Sequence, residues 1–460
     1  MSGRIAPVRI VIPAAIIAAG FVFSLAANWP GHLSYDSVIQ LLEGRTGIYA
    51  NWHPPVMSWM LGIADALLPG AGLFVIFDTV LAFGALAAFL ALGGRAPSWA
   101  AAAVALLCIV SPQFLIYPAI VWKDVLFAAA SVAGFAALAH AARCWPQVGL
   151  RFALLIGGFA LFVLATLARQ NGILTLLGAA VALGWIAGKA APAHPWRSGA
   201  LYGAGALLIS LAAGGICHWA LALRVTGELG PASQIRLLQS YDIIGAVTAD
   251  PGLALSQLAE RAPKLEAVIR REGPRVYSAE RNDTLAESPA LMQALNDAQP
   301  ADIGAQWWRL VLGHPWLYLK VRWAAFRWVV LTPRLEDCHP YYFGINGPAK
   351  IMAALGYARR WDSRDQALAD YAHHFVSTPL LSHGFYLALA LAMLVLLLRR
   401  RRPADIAIAA MLASALAFVA SFFVISLACD YRYLYALDLS ALTAALYLAC
   451  EGAAIFHRHE

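Results

Sequence analysis

Between Val11 and Cys450 the sequence returns about ten times to an apolar run long enough to cross a bilayer, and this recurrence constrains the fold more than any single motif. Hydrocarbon offers no water to backbone N–H and C=O groups, so a spanning segment must close its own hydrogen bonds as roughly 17 to 25 residues of helix. The runs are Val11–Ala27, Ala71–Leu92, Trp99–Leu115, Val125–Ala142, Phe152–Ala168, Gly172–Gly188, Gly199–Ala220, Leu380–Leu398, Ile406–Ala428 and Leu434–Cys450. No small-residue cleavage site follows the first, which therefore reads as an uncleaved helix and not as a secretory leader. Hydrophobic residues fill 61% of the 460 positions and charged residues 13%, a balance that no single soluble core requires. The predicted fold class is an all-α polytopic membrane protein.

Charge orients it. Counted along alternate connections, Arg4 and Arg9, Arg95, Arg143 and Arg151, Lys189 and Arg197, Arg399 to Arg402, and Arg458 all fall on one face. The positive-inside rule makes that face cytoplasmic and puts both termini there. The net charge of +7 is then largely topogenic, and with no separate basic domain it points to no nucleic-acid partner. The opposite face, periplasmic in a bacterial inner membrane, receives an outer loop over 28–70, the turns "YPAIVWKD" and "ARQNG", a segment over 221–379, and the turn "ACDYRYLY". This divides the chain into an N-terminal transmembrane module (1–220), a mainly helical periplasmic domain (221–379) and C-terminal transmembrane helices (380–460).

Trp316 to Leu331 is aromatic and apolar enough to imitate an eleventh span, but Lys320, Arg322 and Arg327 would each cost roughly 2.5–3.5 kcal/mol at mid-bilayer. An interfacial helix near 316–331, its cations reaching outward to water, accommodates both the tryptophans and the charges. The six cysteines show no paired spacing and predict neither a zinc site nor a disulfide framework. No Walker A loop or dinucleotide fingerprint provides for a cytoplasmic nucleotide donor.

The residues suited to chemistry gather on the outer face. Asp36 lies in "SYDSVIQ", a short juxtamembrane helix by its apolar spacing, where it serves either as a helix cap or as an acid lifted just out of the lipid. His53 precedes two prolines in "NWHPPVMSW", which force an extended approach and then allow a helix to start. Lys123 and Asp124 stand at the outer mouth of the fourth span, as a phosphate site or as a snorkelling anchor. Arg169, Gln170 and Asn171 occupy a tight reversal, where a guanidinium fork suits phosphate oxygens. Asp430, Arg432 and Tyr433 mark the entrance of the last span. Two or three carboxylates, a histidine, a lysine and two arginines on one membrane face are equipment for a reaction in which a lipid phosphate leaves and an acceptor loses a proton.

The order of these motifs, "SYDS" and "HPP" in a large first outer loop, then "KD", "RQNG" and "YRYLY", resembles the GT-C superfamily of integral-membrane glycosyltransferases. The resemblance is to the protein O-mannosyltransferase and aminoarabinose lipid A transferase group and covers about Val11 to Gly188. It implies a transferase of EC class 2.4 that moves a sugar, with inversion, from a polyprenyl-phosphate-linked donor in the membrane lipid to a periplasmic acceptor, which is a lipid, a glycan or a protein. On that resemblance Asp36 is the catalytic base, Lys123 and Arg169 hold the donor phosphate, and His53, Asp124, Asn171, Arg432 and Tyr433 line the substrate site. Many relatives carry a second acid directly after the first, where this chain has Ser37; Asp124 or Glu43 is the candidate replacement, and a divalent metal cofactor is left open. The alternatives are an O-antigen polymerase or ligase acting on a lipid pyrophosphate, and a secondary transporter. For the transporter, Asp78, His140, His218, His383 and Asp438 are the ionisable residues inside the spans, and no pairing among them is evident from sequence.

Overall fold

The structure is a computed structural model that describes residues 6–50, 52–93, 99–226 and 231–451. Arg4, Arg95 and Arg458, used above to orient the chain, lie outside the described residues. Within them the fold is helical, with isolated β-bridges and no β-strand.

The first half contributes α1 (Ala6–Asn28), α2 (Tyr35–Thr46), α3 (Pro55–Leu67), α4 (Gly72–Leu92), α5 (Trp99–Val110), α6 (Pro112–Leu115), α7 (Lys123–Arg143), α8 (Val148–Ala168), α9 (Ile173–Ala190) and α10 (Pro195–Ala222). There follow α11 (Pro231–Ala249), α12 (Ser256–Arg261), α13 (Pro263–Val276), α14 (Pro289–Asp297), α15 (Pro300–Gly313) and α16 (Pro315–Leu331), then α17 (Ala349–Leu355), α18 (Ser363–His373), α19 (His383–Arg400), α20 (Pro403–Ile425) and α21 (Tyr435–Glu451). Among the described residues nine helices are long and apolar enough to cross a membrane, or ten when a bent pair counts as one span. The protein is an all-α polytopic membrane protein.

The bent pair is the third run, where α5 and the segment Pro112–Ala119 meet at 64°. Pro112 has no N–H to donate and its ring disfavours helical backbone at Ser111, which is extended (φ −70°, ψ 145°). Ser111 Oγ donates to Cys108 O (2.7 Å), so the break keeps its polar groups satisfied.

Two compact units emerge, one of Met1–Thr226, Tyr341–Phe418 and Leu434–Glu460, the other of Gly227–Pro340 and Val419–Tyr433. In the first, α7 is the central helix and is buried along most of its length, whereas α10 buries only Gly203 and Ser210, as an all-round apolar helix against lipid should. The α9–α10 contact rests on two small-xxx-small pairs, Gly184 with Gly188 and Gly199 with Gly203. A Cβ on Gly199 would stand 2.8 Å from Gly184 O, so larger residues would force the backbones apart.

The second unit has its own core, with Tyr241, Ile244, Leu258, Leu265, Ile269, Leu291, Leu310 and Val321 buried together. Arg322, expected to reach water, is instead fully buried. Its Nη1 lies 2.9 Å from Asp242 Oδ1, its Nε donates to Phe423 O (2.9 Å), and its Nη2 donates to Ser426 O (2.9 Å) and Oγ (2.8 Å). Trp307 Nε1 donates to the other carboxylate oxygen of Asp242 (2.9 Å). A buried charge is tolerable when it is paired and hydrogen-bonded in this way, a compensation that sequence spacing does not reveal. The absence of a disulfide framework is also overturned: Cys338 and Cys429, 91 residues apart, are bonded within this unit. That separation leaves no local spacing to recognise.

Candidate functional site

In the first unit the opening loop is stitched to the approach of α7. His32 N–H donates to Ala119 O (2.9 Å) and Val121 N–H to His32 O (3.0 Å). Trp122 Nε1 donates to Ser34 Oγ (3.0 Å), and Ser37 Oγ donates to Val121 O (2.6 Å). Ser34 is the N-cap residue of α2 and its own N–H donates to Ser37 Oγ (3.1 Å). Ser37, at the position where many relatives carry a second acid, is thus a buried structural residue. Asp36 is in the first turn of α2 and does not cap it; an acid there is favoured by the helix dipole. Lys123 opens α7, where the same dipole disfavours a cation, so α7 presents a positive side chain at the positive end of its own helix.

His53 connects the two. Its approach is fixed by Pro54 and by Pro55 at the start of α3. Its Nε2 lies 3.6 Å from Asp36 Oδ1 and its Nδ1 lies 3.3 Å from Lys123 Nζ. An ammonium can only donate, so Nδ1 accepts and Nε2 carries the proton toward Asp36. Asp124, next to Lys123, is buried and ion-paired with Arg169. Arg169 is extended just past α8, with its guanidinium carbon 5.5 Å over the Phe418 ring, and Asn171 is half-buried in the 3-10 turn Gln170–Gly172 that follows. Because α7 starts where α8 ends, Asp36, His53, Lys123, Asp124 and Arg169 meet at one end of the helices.

Arg432 and Tyr433 belong to the second unit. Arg432 Nη2 is 3.1 Å from Asp430 Oδ2, Asp430 Oδ1 is 3.6 Å from Arg281, and Tyr433 stacks on Phe422 at 5.7 Å. Glu43 is committed elsewhere: it accepts from Ser58 Oγ (2.6 Å) and Ala50 N–H (3.1 Å), joining α2 to α3, and burial raises its pKa while these two bonds oppose the rise. Gly44 and Gly62 meet at that α2–α3 crossing, where a Cβ on either would overlap the other's backbone.

Sequence reasoning missed a second cluster behind the opening loop. Leu33 N–H donates to Gly344 O (2.9 Å) and Asn346 N–H to Leu33 O (3.1 Å), while Ile345 and Arg360 exchange backbone bonds (3.0 Å each). The fully buried His32 accepts from Gly344 N–H (3.0 Å) at Nδ1 and approaches Asn28 Oδ1 (3.0 Å) through Nε2. Asp365 Oδ1 is 3.5 Å from the ring, and Arg360 donates to Gly31 O (3.0 Å) and to Asp365 Oδ2 (3.2 Å). Burial pushes His32 down to about 4, against the opposing pull of Asp365. The signal available was His32 itself, four residues before Asp36, and the charge-rich run "RRWDSRD".

In the spans, His383 Nδ1 lies 3.0 Å from Asp438 Oδ1 with both side chains buried, so the expectation of no pairing there is corrected. Helices α19 and α21 pack together and bring into contact two residues 55 apart. Among the described residues no group of three or more His, Cys, Asp or Glu is arranged to hold a metal ion.

No protein-family model matches the chain, and no curated protein matches it by sequence. Among solved structures it is similar to the archaeal oligosaccharyltransferase AglB from Archaeoglobus fulgidus in complex with an inhibitory peptide and a dolichol-phosphate, at 14% identity and a TM-score of 0.39. It is similar also to the apo form of the Archaeoglobus fulgidus oligosaccharyltransferase, at 14% identity and a TM-score of 0.40. Each alignment covers 95% of this chain and 50% of the other, so the chain spans half the length of the solved structures it matches.

Proposed function

We propose that this protein is a membrane glycosyltransferase of the GT-C type, which takes a sugar from a polyprenyl-phosphate-linked donor and transfers it with inversion to an acceptor on the periplasmic face. The observation that carries this reading is the chain Asp36, His53, Lys123, with the Asp124–Arg169 pair at its end. Asp36 takes the proton of the acceptor hydroxyl or amine as that atom bonds to the anomeric carbon. The bond from that carbon to the phosphate oxygen breaks, and its electron pair leaves with the lipid phosphate. Lys123 and Arg169 stabilise the charge that grows there, and Asp124 fixes the orientation of the guanidinium fork. His53 holds Asp36 and Lys123 in one geometry. Cytoplasmic termini and a periplasmic site belong to the same proposal. The Cys338–Cys429 bond supports it, since charge counting assigns both cysteines to the outer face and disulfides persist in oxidising compartments.

The test is transfer by the purified full chain in proteoliposomes, with release of free polyprenyl monophosphate as the readout. Turnover of a pyrophosphate-linked glycan in place of the monophosphate donor would replace this reading with a polymerase or ligase. The buried His383–Asp438 pair favours a second reading, proton-coupled transport. Solute uptake driven by an imposed pH gradient, without sugar transfer, would establish it.

A further inference from the structure

The second unit carries a face that its own core does not explain. On α16, Val321, Arg322, Ala325 and Val329 turn inward and are buried. The opposite stripe, Trp316, Lys320, Trp323 and Arg327, follows the i, i+4, i+7, i+11 spacing of one helical side and is exposed. Trp316 is 82% and Trp323 55% exposed, and α15 adds Leu312 at 75% beside Trp308. An exposed apolar patch of this kind marks an interaction site on an otherwise soluble surface.

Charge identifies the partner. Across Pro300–Leu331 the sequence has one acid, Asp302, which faces Arg261 at 3.7 Å. Against it stand the exposed Arg309, Lys320 and Arg327, while Arg322 is consumed internally by Asp242. A helix of 17 residues is about 25 Å long at 1.5 Å per residue, short of the roughly 30 Å hydrocarbon core, and cations alternating with indoles along one side exclude a spanning role. The same alternation suits the headgroup layer, where indole rings settle and ammonium or guanidinium groups meet phosphates. We infer that the α15–α16 face is a docking surface for anionic phospholipid headgroups. It holds the second unit on the bilayer surface through Trp316 and Trp323 with Lys320 and Arg327.

The full chain in nanodiscs of anionic phospholipid tests this by hydroxyl-radical footprinting of the unaltered protein. Trp316 and Trp323 should be oxidised several-fold less than Trp361, whose exposure is a comparable 55%. Oxidation at the rate of Trp361 overturns the inference. Spin labels at Trp316→Cys and Trp323→Cys, with Cys108, Cys144, Cys217 and Cys450 replaced by alanine, separate lipid from protein as the cover. Lipid contact raises collision with oxygen over collision with a water-soluble nickel chelate. In zwitterionic discs, or with Lys320→Glu and Arg327→Glu, chelate access should rise several-fold. Protection from both reagents would mean a protein partner, and no change with lipid charge would mean no headgroup recognition; either result defeats the inference.

Discussion

The imidazole of His53 and the carboxylate of Asp36 approach to 3.6 Å, although Asp36 sits in the first turn of α2 and His53 in the bend before α3. The distance is just beyond a direct hydrogen bond and within ion-pair reach, which suits a ring that faces the acid in the proposed chemistry. Asp36→Asn keeps the shape and removes the base, and should lower sugar transfer by roughly a hundredfold to ten-thousandfold with expression intact. His53→Gln should fall between wild type and that variant. Initial rates of polyprenyl monophosphate release decide both, and full activity in Asp36→Asn would remove this residue from the chemistry.

Arg169 offers a planar fork that Asp124 holds in place. Arg169→Lys keeps the charge and loses the fork, so donor KM should rise about tenfold or more while the fold persists. Asp124→Asn should move the same parameter in the same direction by releasing the guanidinium. A change confined to acceptor KM would contradict the phosphate role.

The His32 ring is held down at about 4, against an ordinary value of 6.5, by burial. The unfolded chain therefore binds a proton between those values that the folded chain refuses, so stability falls as pH drops through this window and is fully present above 6.5. The loss is on the order of 3 kcal/mol across the interval. Thermal midpoints from pH 7 down to about 4.5 should fall steeply in the wild type and less steeply in His32→Gln. Parallel slopes would assign the acid sensitivity elsewhere.

Arg322→Met should destabilise the second unit by about 3–5 kcal/mol, because Asp242 would remain buried without its partner. Adding Asp242→Leu should recover much of that loss. Thermal unfolding of the two variants gives the comparison, and equal damage in both would show that packing, not charge, dominates.

Reduction of Cys338–Cys429 should expose two thiols to a polymer-linked maleimide that the oxidised chain hides. Replacing both with serine should cost about 2–5 kcal/mol in the second unit, read as a lower melting temperature.

The spans were legible because lipid permits so few backbone solutions. Ten apolar windows correspond to nine long helices and one bent pair among the described residues, and only Ser111–Pro112 gave local warning of the bend. Asp36, His53, Lys123, Asp124 and Arg169 were legible as types and as neighbours of helix ends. What could not be read was the glue. Ser37 against Val121, and Leu33 against Gly344, are bonds to backbone oxygens, which every residue possesses and no sequence pattern marks. The burial of Arg322 is hidden from sequence by distance, since its partners Asp242, Phe423 and Ser426 lie 80 to 104 residues away.

The extended stretch around His32 and Leu33 is flanked on one side by Ile120 and on the other by Ile345, which in turn faces Arg360. Every acid and base of the proposed chemistry is encoded before Thr226, yet the clamp that seats the opening loop arrives with the last quarter of the gene. A polypeptide cut between the two should be inert in either piece and regain turnover when the halves are made together, which turns the seam into a handle for building split versions of the protein.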